Sequence, residues 1–230
     1  MRLHRFFVGA ELKSGPQRID DLGLIKQWKN VLRMQAGDHL IICDGRGHES
    51  DAVIKELTAT AAVVQLENPR IVEAEPRRHV TLCASILKRE NFEWVVMKAT
   101  EIGVKEIIPV LAARTVKTGL KRERLESIAK EASEQCGRGI IPMIHQPMTL
   151  AEAMKQTSEL KNIFFHLGNY ADNLPTADRL AIWTGPEGGW TDDEAAIAQS
   201  SGHELRSLGK LALRAETAAV VGSFLAVASR

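Results

Sequence analysis

The sequence predicts an α/β protein with two domains, a small β-barrel over residues 1–72 and a larger domain with a mostly parallel sheet over residues 73–230. Short strand-like segments separated by turn residues fill the first part of the chain, a pattern typical of small barrels. Strand-like and helical segments then alternate, as they do where helices cover both faces of a parallel sheet. With 230 residues, 44% of them hydrophobic, the chain is long enough to bury a real core.

The first domain is predicted to consist of four strands and one short helix near residues 25–32. The strands are predicted at residues 3–8, 39–43, 51–57 and 61–66. The turn Asp44-Gly-Arg-Gly47 ends the second of them. Residues 68–76 are charged and bounded by proline, and we predict that they link the two domains.

The second domain is predicted from alternating periodicities. Strands are expected at residues 79–84, 106–110, 162–165 and 180–183 and near residue 205. A hydrophobic stripe from Phe92 to Ile102 marks one face of a helix that Gly103 ends, and a second stripe runs from Leu125 to Cys136. Further helices are expected near residues 150–157, 191–200 and 218–227.

Composition excludes several classes of protein. Charged residues make up 26% of the chain and the formal net charge is +1, so any contact with nucleic acid depends on local clusters of Lys and Arg. The three cysteines are far apart and form no CxxC pair, which predicts neither a disulfide framework nor a metal site and favours a reducing cytoplasm. The longest apolar stretch, residues 215–228, contains Glu216 and is too short to span a bilayer, so we expect no membrane association.

The strongest candidate site is the glycine-rich loop Gly185-Pro-Glu-Gly-Gly189, which follows a predicted strand and precedes a helix. Thr191 and Glu194 form a capping-box pattern at the start of that helix. Ligands of open α/β sheets bind beyond the carboxyl ends of the strands, although an ordinary strand–helix turn would also explain the loop. No Walker or GxGxxG pattern is present, and a carboxylate at Glu187 would repel phosphate but suit an amine or sulfonium group.

Two further loops follow strands in the same part of the chain. Phe165-His-Leu-Gly168 is a weak signal, since a buried turn explains it. The second runs from residue 205 to residue 217 and carries Leu208, Leu211 and Leu213, spaced as if to line an adenine slot, although core packing explains them equally well. Arg214 and Glu216 stand at the entrance of the following helix, where a capping pair is the alternative interpretation.

Together these motifs resemble the SPOUT methyltransferases, and specifically the RsmE-type uridine-N3 enzymes. The resemblance rests on Gly185-Pro-Glu-Gly-Gly189 and on Leu208-Gly209 followed by Leu213-Arg-Ala-Glu-Thr-Ala218. Other matches occur in the same order along nearly the whole chain: His4-Arg-Phe-Phe7, Val31-Leu-Arg33, Gly37-Asp38, Asp44-Gly45, Lys98-Ala-Thr-Glu-Ile-Gly-Val104, Arg114 and Glu131-Ala-Ser-Glu-Gln-Cys-Gly-Arg138. Two departures are Ala215, where the family pattern has threonine, and Thr115, where it often has serine.

The resemblance implies an N-terminal PUA-like barrel, a C-terminal domain with a deep trefoil knot, a homodimer, and S-adenosylmethionine as the methyl donor. It implies that the cofactor is held by residues of the three loops. These are Leu167, Gly168, Thr184, Gly185, Pro186, Glu187, Gly188, Gly189, Leu208, Gly209, Leu211 and Leu213. The expected substrate is a uridine of 16S, the small-subunit ribosomal RNA, in the assembled 30S subunit.

Methylation of uridine N3 requires an extruded or unpaired base, loss of the N3 proton and stabilisation of the uracil anion. A permanently charged arginine suits the last role, and we predict Arg214, with Arg138 and Arg114 as alternatives. The residues expected to contact RNA are Arg2, Arg5, Arg33, Arg114, Lys117 and Arg138. The alternative function is that of a non-catalytic RNA-binding or ribosome assembly factor on the same fold.

Overall fold

The computed structural model describes residues 3–116, 119–168, 171 and 173–228. Arg2 and Lys117, both expected to contact RNA, lie outside these residues. The chain divides into two compact units. The first comprises Met1–Glu75 and Ser133–Ile141, and the second comprises Pro76–Ala132 and Pro142–Arg230.

The first unit is built on a six-stranded mixed sheet. Its strands are β1 (Arg5–Phe7), β2 (Gly15–Ile19), β3 (His39–Cys43), β4 (His48–Leu57), β5 (Ala62–Leu66) and β6 (Arg70–Ile71). Their order is β1-β3-β4-β5-β2, with β6 beside β4, and only the β1–β3 pairing is parallel. One side of the sheet buries Phe6, Leu40, Ile54 and Val64 together with Trp28, which forms the core of this unit.

Two segments of the first unit differ from the sequence-based expectation. Strand β2 was not predicted, because Gly15, Pro16 and Gln17 have low β propensity; its pairing with β5 overrides that preference. Part of the predicted linker is structured, since Arg70–Ile71 forms β6 and the Val72 amide donates to the Gly47 carbonyl at 2.8 Å.

A helical segment crosses between β2 and β3, close to its predicted position. Helix α1 (Leu22–Lys26) begins at Asp21, whose carboxylate accepts hydrogen bonds from the amides of Gly23 and Leu24. The chain then continues as a π-helical turn, Gln27–Val31. This widened turn keeps Trp28 on the buried side of the segment.

The second unit contains a seven-stranded sheet in which every pairing is parallel, so the prediction of a mostly parallel sheet is confirmed. The strands are β7 (His79–Ser85), β8 (Glu106–Leu111), β9 (Met143–Ile144), β10 (Met148–Thr149), β11 (Lys161–Phe165), β12 (Arg179–Thr184) and β13 (Glu204–Arg206). Their order is β10-β8-β7-β12-β11-β13, with β9 beside β8. The two-residue strands β9 and β10 were not predicted, because so short a segment carries no periodicity.

Five further helices occur in the described ranges of the chain. They are α2 (Arg89–Ile102), α3 (Arg122–Cys136), α4 (Leu150–Gln156), α5 (Asp192–Ser200) and α6 (Ala215–Ala228). The predicted end of α2 is confirmed, since Gly103 has φ 109° and a Cβ there would stand 2.3 Å from Cγ of Pro76. Among the described residues, no helix combines the length and apolar character needed to cross a membrane.

Helix α6 is mostly apolar beyond Glu216 and Thr217, yet only one face of it is buried. Gly222, Ser223 and Ala226 lie on that face, and a Cβ at Gly222 would meet the Phe165 ring at 2.7 Å. The glycine therefore leaves room for the Phe165 ring, while α6 itself packs over β12 and β7. Phe224, on another face, is 58% exposed, so the helix is not enclosed by its own unit.

Candidate active site

Three loops meet where β11, β12 and β13 end. These strands are neighbours in a parallel sheet, with β11 between the other two, so their carboxyl ends share one edge. The loops enclose a cavity of about 290 Å³. It is lined by Arg114, Phe165, His166, Leu167, Gly185, Pro186, Glu187, Gly188, Gly189, Trp190, Asp192, Ser207, Leu208, Gly209, Leu211, Leu213, Ala215 and Ala218.

The loop after β12 is a tight turn that depends on its glycines. The Gly189 amide donates to the Pro186 carbonyl at 2.8 Å, and Gly189 adopts φ 69°, which favours glycine. A Cβ at Gly185 would lie 3.2 Å from both the backbone nitrogen and the indole nitrogen of Trp190. Because the Trp190 side chain is buried, Gly185 lets the loop fold closely over the indole ring.

Glu194 joins this loop to the one that follows β8. The predicted capping box of α5 is confirmed: one carboxylate oxygen of Glu194 accepts from the Thr191 amide at 2.8 Å, and the Thr191 hydroxyl accepts from the Glu194 amide. The other carboxylate oxygen accepts from the Ala113 amide at 2.8 Å. Since Glu194 is only 6% exposed, it forms a buried connection between two loops of the site.

Arg114 makes a second connection between the same loops. Its Nη1 donates to the Gly188 carbonyl at 2.6 Å, and its Cδ would lie 3.2 Å from a Cβ at Gly188. The Thr115 hydroxyl accepts from the Ala112 amide at 3.0 Å and stabilises the turn that carries Arg114. Gly188 is therefore held by a guanidinium whose side chain would have to shift slightly to admit a larger residue.

Glu187 projects from the tip of the loop. Its Oε1 accepts from the Lys88 amide at 3.2 Å, at the start of α2 where the backbone amides have no partner within the helix. Glu187 also lines the cavity and is exposed. It can therefore cap α2 and place negative charge beside a ligand.

The loop after β13 supplies an apolar wall. Its turn is closed by Ser207, whose hydroxyl donates to the Gly209 carbonyl at 2.8 Å, and Gly209 adopts φ 118°. Leu211 is 80% exposed and Leu213 37% exposed, and Leu167 from the loop after β11 is 63% exposed. Exposed leucines around one concavity indicate a surface that a ligand or partner covers.

Most of the expected cofactor residues meet at this cavity. All of the predicted set line it except Gly168 and Thr184, the latter being the buried last residue of β12. Cavity-lining residues that were not predicted to bind the cofactor, apart from Arg114, are Phe165, His166, Trp190, Asp192, Ser207, Ala215 and Ala218. Trp190 and Asp192 lie one and three residues after the glycine motif, and this closeness in sequence is the signal by which they could have been predicted.

The three candidate arginines have different surroundings. Arg114 lines the cavity and donates to backbone carbonyls. Arg214 is exposed and directly precedes Ala215, which lines the cavity; among the described residues its side chain has no ion pair or hydrogen bond. Arg138 belongs to the first unit, is 4% exposed and pairs with Glu75 through Nε and Nη2.

The remaining arginines expected to contact RNA lie in the first unit. Arg5 forms an ion pair with Glu49, its Nη1 donates to Cys43 Sγ at 3.4 Å, and its side chain is only 15% exposed. Arg33 is exposed. Among the described residues, no group of three or more His, Cys, Asp or Glu side chains is placed to hold a metal ion.

Comparison with known proteins identifies the family. A family model for an RNA methyltransferase domain matches residues 73–226, and a model for an RNA methyltransferase PUA domain matches residues 29–67. The ribosomal RNA small subunit methyltransferase E of Synechocystis is 33% identical over 84% of this chain and 67% of its own length. The chain belongs to this family. The Bacillus subtilis member is 30% identical over 82% of this chain and 81% of its own length.

Solved structures agree with this membership. The small-subunit methyltransferase E of Neisseria gonorrhoeae, bound to S-adenosylmethionine, superposes with a TM-score of 0.90 at 25% identity and covers 96% of this chain and 95% of its own. A Legionella pneumophila protein described as a methyltransferase in complex with the same cofactor has a TM-score of 0.88 at 27% identity, covering 98% and 97% of the two chains. The predicted family and fold class, a SPOUT-type domain with a PUA-like domain before it, are thereby confirmed.

The residues at the cavity fit S-adenosylmethionine. The cavity volume of about 290 Å³ is close to the lower end of the range for small-molecule sites, roughly 300–1,000 Å³. The exposed leucines suit an adenine ring, and the carboxylate of Glu187 suits a cationic amine or sulfonium. When bound, this cofactor would supply an electrophilic methyl group.

Proposed function

We propose that this protein methylates N3 of a uridine in small-subunit ribosomal RNA, with S-adenosylmethionine as the methyl donor. The observation that carries the proposal is the cavity at the ends of β11, β12 and β13, built from the residues that the methyltransferase motif predicts. Cofactor-bound relatives with the same fold over nearly their whole length support the choice of donor. The N3 position rests on the resemblance of the motifs to the uridine-N3 enzymes.

The chain's own residues would position and polarise the RNA base. An extruded uracil would have to enter beside the bound cofactor at the open side of the cavity, from which water is excluded once the site is filled. As the N3 proton leaves, negative charge spreads to O2 and O4 of the ring. A guanidinium beside either oxygen stabilises that charge in the transition state.

We assign this role to Arg214. Its guanidinium is exposed, has no partner among the described residues and stands between the cavity-lining residues Leu213 and Ala215. The two alternatives are engaged elsewhere, Arg114 with the Gly188 carbonyl and Arg138 with Glu75. Ala215 is buried at the start of α6, where the threonine of the family pattern would add a hydroxyl.

We propose a division of labour between the domains, with residues 1–72 binding RNA and residues 73–230 holding the cofactor and carrying out the transfer. The assembled 30S subunit is the proposed substrate, which places the reaction in the cytoplasm. Of the expected RNA contacts, Arg33 and Arg114 are exposed, and Arg2, Lys117, Arg5 and Arg138 complete the proposed set. The C-terminal trefoil knot remains part of this proposal.

A homodimer is also part of the proposal. Helices α2 and α6 pack against each other, and each presents a large exposed side chain, Trp94 at 39% and Phe224 at 58% exposure. Apolar residues of this size are enriched in interface cores. Sedimentation of wild type and Phe224→Glu tests this: we expect a dimer and a monomer, respectively, and two equal masses would contradict it.

The central experiment identifies the product. Small ribosomal subunits from cells that lack this gene are incubated with the protein and methyl-labelled S-adenosylmethionine, and the labelled nucleoside is identified after digestion. We expect N3-methyluridine, while any other methylated nucleoside would overturn the assigned position. Absence of label, with RNA binding retained, would favour the non-catalytic assembly factor.

Two variants test the role of Arg214. Arg214→Ala should bind the cofactor with wild-type affinity but transfer the methyl group at least about 100-fold more slowly, as loss of one group that stabilises developing charge commonly does. The control is Lys210→Ala, which removes another exposed cation of the same loop that does not line the cavity. An Arg214→Ala variant with a normal rate would remove this residue from the mechanism.

A further inference from the structure

The first unit carries a basic surface that is separate from the residues expected to contact RNA on β1. Between Asp21 and Asp38 the sequence has three basic residues, Lys26, Lys29 and Arg33, and no acidic residue. All three are exposed, and their side chains have no ion pair or hydrogen bond among the described residues. We call this set the α1 basic face.

The packing of the helical segment explains why its two lysines are exposed. Leu24, Ile25 and Trp28 are at most 3% exposed and form the buried side of the segment. Lys26 and Lys29 lie between these positions in the sequence and are exposed. Their charges therefore project away from the core of the first unit.

Three arginines of the first unit, Arg5, Arg70 and Arg138, are instead paired with carboxylates of the protein. Arg5 and Arg70 both pair with Glu49, and Arg70 also pairs with Asp51 at 2.6 Å. Arg138 pairs with Glu75. Their charges are neutralised within the protein, which reduces what they can contribute to binding a polyanion.

Arg33 also has an unusual backbone. With φ 55°, it is the one non-glycine residue of the described chain in the left-handed region. It lies just beyond the end of the helical segment, which is closed by a hydrogen bond from the Met34 amide to the Trp28 carbonyl at 2.8 Å. Glycine is the usual residue at such an end, because a Cβ there is strained. Strain of this kind, next to a π-helical turn, is common at functional sites.

We propose that the α1 basic face binds phosphates of the ribosomal RNA, and that Arg33 occupies a strained position because its guanidinium makes one of these contacts. This inference rests on the proposed function, since it assumes an RNA substrate. It moves the main RNA contacts of the first unit from β1 to the segment that joins β2 and β3. The guanidinium provides a planar fork that matches phosphate oxygens, and the two lysines add point charges.

The sharpest test exploits the opposite effects expected of Arg33→Gly. Removing the side chain relieves the strain, so the melting temperature should rise by about 2–5 °C. It also removes a phosphate contact, so affinity for unmodified small-subunit ribosomal RNA should fall about 5–10-fold at 0.1 M KCl, with cofactor affinity unchanged. Arg33→Gln, which keeps a side chain at the position, should show the same fall in affinity without the rise in melting temperature.

The number of phosphates bound is read from the salt dependence of RNA binding. Each phosphate that the protein no longer neutralises should reduce the slope of log K against log[KCl] by about 0.7–0.9, so the slope should fall by about 2–3 in the Lys26→Gln/Lys29→Gln/Arg33→Gln variant. The matched single-charge control is Lys13→Gln in the same unit. Lys13 is exposed and lies 3.6 Å from Glu11, so its removal should leave the slope close to that of wild type.

The outcomes separate this inference from the proposed function. If wild type neither binds nor methylates the RNA, the proposed function fails. If wild type binds and the triple variant keeps the same slope, the α1 basic face is not an RNA surface. A lower melting temperature for Arg33→Gly would overturn the part of the proposal that concerns strain.

Discussion

Replacing Glu194 by glutamine tests how the loops around the cavity are held together. The carboxylate is 6% exposed and accepts hydrogen bonds from the amides of Ala113 and Thr191, each at 2.8 Å. Glutamine has the same shape but only one oxygen. Its amide nitrogen would face an N–H group, so one of the two hydrogen bonds to the backbone cannot form.

The structure sets the expected magnitude. A hydrogen bond to a charged group contributes about 1.5–3 kcal/mol, so we expect Glu194→Gln to lower the free energy of unfolding by about 2 kcal/mol. In a domain of about 150 residues this lowers the melting temperature by about 4–8 °C. If the hydrogen bond from Ala113 is the one that breaks, the neighbouring Arg114 no longer holds the Gly188 carbonyl in place, and cofactor affinity should fall about 10-fold.

The assay combines thermal unfolding with calorimetric titration of S-adenosylmethionine. Glu152→Gln is the matched control, because Glu152 completes the same capping box with Thr149 at the start of α4 but, within the described part of the chain, has no hydrogen bond to another loop. We expect this control to bind the cofactor as wild type does. If both variants lose cofactor affinity equally, or neither does, the connection from Glu194 to Ala113 does not organise the site.

Two further predictions concern packing and protonation. Gly222→Ala should destabilise the protein by about 1–3 kcal/mol and weaken cofactor binding, because the added methyl group would meet the cavity-lining ring of Phe165 at 2.7 Å; thermal unfolding beside Gly9→Ala, which has open space, checks this. His203 packs against Trp183, and burial lowers its pKa below 6.5, so the folded state resists its protonation. Below pH 6.5 the unfolded chain takes up the proton first. The free energy of unfolding therefore decreases as the pH decreases, by at most about 1.4 kcal/mol per pH unit from this group. Urea unfolding at pH 7 and pH 5 should show a smaller loss for His203→Phe than for wild type, and equal losses would refute this assignment.

Local patterns were enough to predict most elements of the second unit. The hydrophobic stripe of α2, its end at Gly103 and the capping box at Thr191 are encoded within one or two helical turns, and each was confirmed. The glycine motif likewise predicted the loop after β12. These features were predictable because a few neighbouring residues determine their conformation.

Features that depend on distant partners were not predictable in the same way. Arg5 and Arg138 carry charges that suit RNA, but their carboxylate partners, Glu49 and Glu75, are 44 and 63 residues away in the sequence. Nothing near either arginine signals the ion pair. The hydrogen bond from the Ala113 amide to the Glu194 carboxylate spans 81 residues and was not predicted for the same reason, although the role of Glu194 in the capping box of α5 was.

The order in which the cavity's walls occur along the chain has a consequence for biosynthesis. Apart from Arg114, every lining residue lies between Phe165 and Ala218, whereas the first unit is complete by Ile141. A nascent chain can therefore fold its first unit, and display the basic residues of its helical segment, before any methyl donor can be held. Competence for the reaction arises only when the residues up to Ala218 have left the ribosome, so a partly synthesised chain could occupy RNA without modifying it.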